Sequence, residues 1–207
     1  MDTPIHTSID TDYPEHDRTS TGLPNVKLAI WLFLASECLL FGALIATYVL
    51  YRGASIEGPF PGDVFDIPYT SVSAFVLLAS SLTMVLALAA KQRQEENQMR
   101  MWLLATAMLG MVFVGGQIYE FTLFTREGLT LSTNLFGSSF FVLTGFHGVH
   151  VTVGILMLLT LVGFSLADNL PGERGEMSVE MIGLYWHFVD IVWIVIFTVV
   201  YLIPTGK

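Results

Sequence analysis

Leu28-Ala29-Ile30-Trp31-Leu32-Phe33-Leu34-Ala35-Ser36-Glu37-Cys38-Leu39-Leu40-Phe41-Gly42-Ala43-Leu44-Ile45-Ala46-Thr47-Tyr48-Val49-Leu50-Tyr51 is a run of 24 residues in which one side chain, Glu37, is ionised in water at neutral pH. A bilayer core takes about 20 helical residues to cross, so this run reads as a membrane span. Comparable runs follow at Thr70 to Ala90, Trp102 to Phe124, Phe136 to Leu166 and Gly183 to Ile203. Lipid offers the backbone no hydrogen-bond partner, so each run must close as a helix. The expected architecture is an all-α integral membrane protein, a bundle of five transmembrane helices over residues 28–203. Residues 1–27 read as a polar acidic tail and 204–207 as a short C-terminal tail.

Composition agrees. Of 207 residues, 53% are apolar and 13% charged, against roughly 25% charged in soluble domains. The net charge of −9 comes without any basic stripe to neutralise phosphates, which excludes a nucleic-acid partner. The single cysteine, Cys38, can form neither an intrachain disulfide nor a thiolate metal site. The connecting segments carry most of the charges and prolines, and Asp168-Asn169-Leu170-Pro171-Gly172 reads as a helix stop and turn.

Six of the nine Lys and Arg (Arg18, Lys27, Lys91, Arg93, Arg100, Arg174) fall on the N-terminal side of the five spans, and Arg52, Arg126 and Lys207 on the other. By the positive-inside bias the N-terminus is expected to be cytoplasmic and the C-terminus outside. Lys91, Arg93 and Arg100 read as ordinary topology anchors near the head groups.

An ionisable residue inside a span costs about 2.5–3.5 kcal/mol on insertion scales, so each calls for a reason. Glu37 lies about 13–14 Å past Leu28 at 1.5 Å per residue. Desolvation disfavours its carboxylate, so a neutral acid is expected, serving either proton handling or one structural hydrogen bond between helices. His147 and His150 share one side of the fourth span, where Gly145 and Gly148 would let a neighbouring helix approach. His187 and Asp190 stand one turn apart on the fifth, as a pair in which the acid would fix the ring tautomer. Gln117 and Glu120 are expected near an interface, with Glu120 wet and ionised. Ser80, Ser81 and Thr83 read as packing residues.

Three histidines with Glu37 would supply enough ligands for zinc, copper or non-haem iron, and two on facing helices could clamp a haem. No dense His-rich set and no repeated Glu-x-x-His is present. Polar packing or proton support is therefore the stronger expectation for these side chains, with no metal held by this chain. Phosphate loops, nucleophile elbows and paired catalytic carboxylates are also missing from the sequence.

Five motifs, taken together, resemble one family. They are Trp31 to Glu37, Ala79 to Thr83, Gly116-Gln117-Ile118-Tyr119-Glu120, Phe140 to His150, and Tyr185-Trp186-His187-Phe188-Val189-Asp190-Ile191-Val192-Trp193. In this order they resemble subunit III of the haem-copper respiratory oxidases, which include cytochrome c oxidases and quinol oxidases. The resemblance implies an accessory, redox-inactive subunit in a bacterial-type cytoplasmic membrane, packed on a catalytic subunit I. That subunit holds haem and copper, reduces dioxygen to water and pumps protons. It further implies support of proton uptake and turnover stability, and bound phospholipid in a cleft. Glu37 matches the family's buried carboxyl that reacts with hydrophobic carbodiimides. His147, His150, His187 and Asp190 match polar positions of its last two helices. Longer members have seven spans, and the five here match their third onward, so one wall of the lipid cleft has no counterpart. Two other readings compete: a stand-alone intramembrane metal or haem protein using His147, His150 and His187, and a proton channel gated by Glu37.

Overall fold

A computed structural model describes residues 24–51, 66–170 and 172–203. Five helices follow one another: α1 (Asn25–Tyr51), α2 (Ile67–Gln92), α3 (Glu96–Arg126), α4 (Leu135–Leu166) and α5 (Gly172–Phe197), the last continuing into a π-helical turn at Thr198–Leu202. All five are long and apolar enough to cross a membrane, and the described residues contain no strand. The protein is a multi-pass, all-helical membrane protein. Most of the polar tail, residues 1–23, lies outside the described residues, as do 204–207 and, of the cations counted for orientation, Arg18, Arg52 and Lys207.

The helices reach beyond the apolar runs. α3 begins at Glu96, before Trp102, and α5 at Gly172, before Gly183, because their polar first turns continue the helix outside the hydrophobic layer. Two starts, those of α2 and α4, are capped from the side chain: Asp66 Oδ1 accepts the Tyr69 N–H at 3.2 Å, and Asn134 Oδ1 accepts that of Gly137 at 2.7 Å. Three ends share one geometry. A residue of positive φ (Gln94 at 62°, Gly128 at 89°, Asp168 at 55°) is followed by an N–H that returns to the third-last helical carbonyl: Glu95 to Ala90, Leu129 to Phe124, Asn169 to Phe164.

α5 is the hub, packed on α1, α2 and α4, while α3 closes the bundle between α2 and α4. Its two indoles, Trp186 and Trp193, are fully buried. Trp186 fits because Gly110 and Gly154 have no side chain; a Cβ there would come within 2.6 and 2.8 Å of its ring. α1 is peripheral. It buries only Leu34, Phe41 and Tyr48, a strict seven-residue stripe, against α4 and α5. Large apolar side chains such as Trp31, Leu39, Val72, Phe75 and Ile118 face outward, as lipid or a partner in the membrane requires. Cys38 is exposed on the same outer surface.

Candidate functional site

The intramembrane polar residues are joined in pairs and triads across helix boundaries. Glu37 on α1 meets His150 on α4, with Oε2 and Nε2 3.1 Å apart. The other ring nitrogen, Nδ1, lies 2.7 Å from Phe146 O, a pure acceptor, so Nδ1 carries a hydrogen and donates it. One further proton therefore occupies the Glu37–His150 contact, on the acid or on the ring. Phe41, one turn past Glu37, sets its ring edge-on to His150 at 5.0 Å. Tyr185 OH donates to His150 O at 3.0 Å and ties α5 to the same point. The pair joins residues 113 apart, which local spacing does not reveal.

His147 is completely buried. Its Nε2–H donates to Val189 O at 3.2 Å, while its ring packs against Trp193 (4.8 Å) and Phe113 (5.8 Å), which also touch each other. Gln117 on α3 donates from Nε2 to Thr144 O at 2.8 Å. Gly148 makes room for that amide, since a Cβ there would meet Gln117 Oε1 at 2.7 Å; Gly145 has nothing so close and serves no such approach.

His187 and Asp190 are linked through a third residue. Ser81 Oγ on α2 donates to Asp190 Oδ2 at 2.6 Å and lies 3.0 Å from His187 Nδ1. Beside it, Ser80 Oγ accepts the indole N–H of Trp186 at 2.9 Å. Ser80 and Ser81 thus do more than pack; the run of hydroxyls Ser80, Ser81 and Thr83 in the middle of a span is the one sign of this that the sequence carries.

Two expectations are corrected. Glu120 is not wet: only 5% of it is exposed, because α2 and the π-turn after α5 cover it. Thr70 Oγ1 donates to its Oε1 at 2.7 Å and Tyr201 OH to its Oε2 at 3.4 Å. Nor is Lys91 a head-group anchor: it is 1% exposed, paired with Glu96 and donating to Leu170 O at 2.8 Å. Arg100 likewise turns inward, giving Nε–H to Ser165 Oγ at 2.7 Å and a terminal N–H to Ser165 O at 2.6 Å. Together these contacts clasp the α2–α3 turn to the α4–α5 turn. Lys27, near the start of α1, pairs with Glu180 on α5 at 2.9 Å.

The His147, His150 and His187 rings do not converge on one point. Among the described residues no three His, Cys, Asp or Glu side chains are grouped so as to hold a metal ion. The arrangement suits hydrogen bonding between helices and the holding of protons.

The sequence profile described as Cytochrome c oxidase subunit III matches residues 13–204. A probable quinol oxidase subunit 3 from Staphylococcus saprophyticus is 40% identical over 86% of this chain and 88% of its own length. The cytochrome bo(3) ubiquinol oxidase subunit 3 of Pseudomonas aeruginosa is 38% identical over 91% and 90%. A cytochrome c oxidase subunit 3 from Bacillus sp. is 39% identical over 91% and 90%. With five membrane helices in place and the profile covering nearly the whole chain, this protein belongs to the cytochrome c oxidase subunit III family and is a subunit III of a haem-copper respiratory oxidase.

Proposed function

We propose that this chain is an accessory, redox-inactive subunit of a proton-pumping terminal oxidase of the cytochrome c type. In this reading it packs on the catalytic subunit I, which holds haem and copper, and supports proton uptake and durability during turnover. The observation that carries the reading is how the buried histidines are spent. His147 and His150 each give a ring N–H to a backbone carbonyl, and the second nitrogen of His150 is taken by Glu37. The rings stand in separate contacts that tie helices together, with His147 Nδ1 alone left without a hydrogen-bond partner among these contacts. Glu37 and Glu120, both within the bundle, are the carboxyls suited to holding protons, and Gln117, His187 and Asp190 belong to the same polar set. The N-terminus is cytoplasmic, with the Lys91–Glu96–Arg100 clasp on that face, and phospholipid covers the apolar outer surface.

A quinol-type oxidase is the second reading, favoured by the names of the Staphylococcus and Pseudomonas relatives. Dioxygen consumption by the purified complex with reduced cytochrome c or with a quinol as sole donor separates the two.

The accessory role is tested by removing this chain gently from the complex and following dioxygen consumption. The expected result is initial turnover largely kept, followed by faster inactivation. Abolished initial turnover with haem spectra intact, or unchanged durability over many cycles, would contradict it.

A further inference from the structure

The α2–α5 contact contains a continuous hydrogen-bonded line that needs no group outside this chain. A hydroxyl has one hydrogen. With that of Ser81 given to Asp190 Oδ2 at 2.6 Å, the 3.0 Å contact with His187 closes only when Nδ1–H donates to Ser81 Oγ. The line then runs Nδ1–H to Oγ–H to Oδ2. The reversed line, Oδ2–H to Oγ–H to Nδ1, uses the same heavy-atom positions. The two states differ by one proton moved from ring to carboxyl, with Ser81 accepting one hydrogen as it passes on another.

The two ends differ in access. His187 is half-buried at the bundle surface, whereas Asp190 is only 4% exposed. Its Oδ1 is shielded and, among the described residues, has no hydrogen-bond partner. No described Lys or Arg is paired with it, the ion pairs being Lys27–Glu180, Lys91–Glu96 and Glu37–His150. An ionised carboxylate so placed is costly to keep, and an arriving proton removes the charge. On the α4 side His147 gives its ring N–H to the carbonyl of Val189, next to Asp190 in sequence; on α2 the uncharged Ser81 faces the pair.

We propose that His187, Ser81 and Asp190 form a one-proton store loaded from the bundle surface. A proton carried by water binds His187 Nε2 as its O–H bond breaks. The Nδ1–H bond then breaks as Ser81 takes that hydrogen, and Ser81 Oγ–H breaks as Oδ2–H forms. Asp190 ends neutral, His187 ends as the neutral Nε2–H tautomer, and unloading reverses the steps. The store goes beyond the accessory role and does not rest on it, since all three side chains that hold and pass the proton belong to this chain.

Full-length chain in lipid nanodiscs, labelled with 15N-histidine and 13C-aspartate, tests it by solid-state NMR across a pH series. In the native chain the Asp190 carboxyl shift and the His187 exchange from Nδ1–H to Nε2–H should change together, with one midpoint. Ser81→Thr keeps the hydroxyl and should preserve that coincidence. Ser81→Ala breaks the line and should separate the two transitions. Different midpoints for the two residues in the native chain would overturn the store. So would a Ser81→Ala chain, helical by circular dichroism, in which the transitions remain coincident.

Discussion

Replacing Glu37 by Gln reads out how the proton between α1 and α4 is held. His150 gives Nδ1–H to Phe146 O, so a single proton occupies the 3.1 Å contact between its Nε2 and Glu37 Oε2. If it rests on Glu37, both partners are neutral, and Gln offers an amide N–H to the same nitrogen. The loss is then the difference between two neutral hydrogen bonds. Hydrogen bonds between membrane helices average about 0.6 kcal/mol and reach about 1.7 kcal/mol. The two side chains retain 16% and 14% exposure, which places this contact toward the lower figure. Glu37→Gln should therefore cost about 0.5 kcal/mol, and Glu37→Leu, which leaves His150 Nε2 without its donor, about 1–2 kcal/mol. The assay is reversible unfolding in mixed detergent micelles followed by helical circular dichroism. A loss of about 3 kcal/mol or more for Gln, the size expected when one member of a buried ion pair is removed, would refute the neutral pair and put the proton on His150.

Other contacts give sharp expectations in the same assay. Gly154→Ala drives a methyl to 2.8 Å from the buried Trp186 ring and should cost about 1–3 kcal/mol, whereas Gly163→Ala, with open space around it, should cost little. Lys91→Met keeps the volume but strands Leu170 O and frees Glu96, for a loss of about 1–3 kcal/mol. Gln94→Gly relieves a left-handed residue at the end of α2 and should gain up to about 1 kcal/mol, measured as a raised unfolding midpoint.

The number of spans was legible because hydropathy is a local property and lipid enforces helices. Helix ends were less so: Glu96 to Met101 and Gly172 to Ile182 are helical yet polar, and a reading based on apolar runs stops short of them. Which helix covers a residue is not local at all. Lys91 and Glu120 look exposed from their neighbours in sequence and become buried through residues 79 and 81 positions away, Leu170 and Tyr201. The i to i+3 spacing of His187 and Asp190 indicated a linked pair, but the link is Ser81, and nothing along α5 indicates it. Glu37 was recognisable as an acid needing a partner; that partner, His150, becomes visible only when α1 is laid on α4.

In the proposed role, this chain holds helices and protons while its partners carry the redox groups. Affinity purification through this chain in mild detergent, followed by an optical spectrum, metal analysis and mass identification of what accompanies it, tests that most directly. The expected result is a larger haem-bearing subunit in the purified complex, with the haem absorption staying with that subunit once this chain is stripped away. A chain that purifies alone and keeps stoichiometric haem or metal would contradict it.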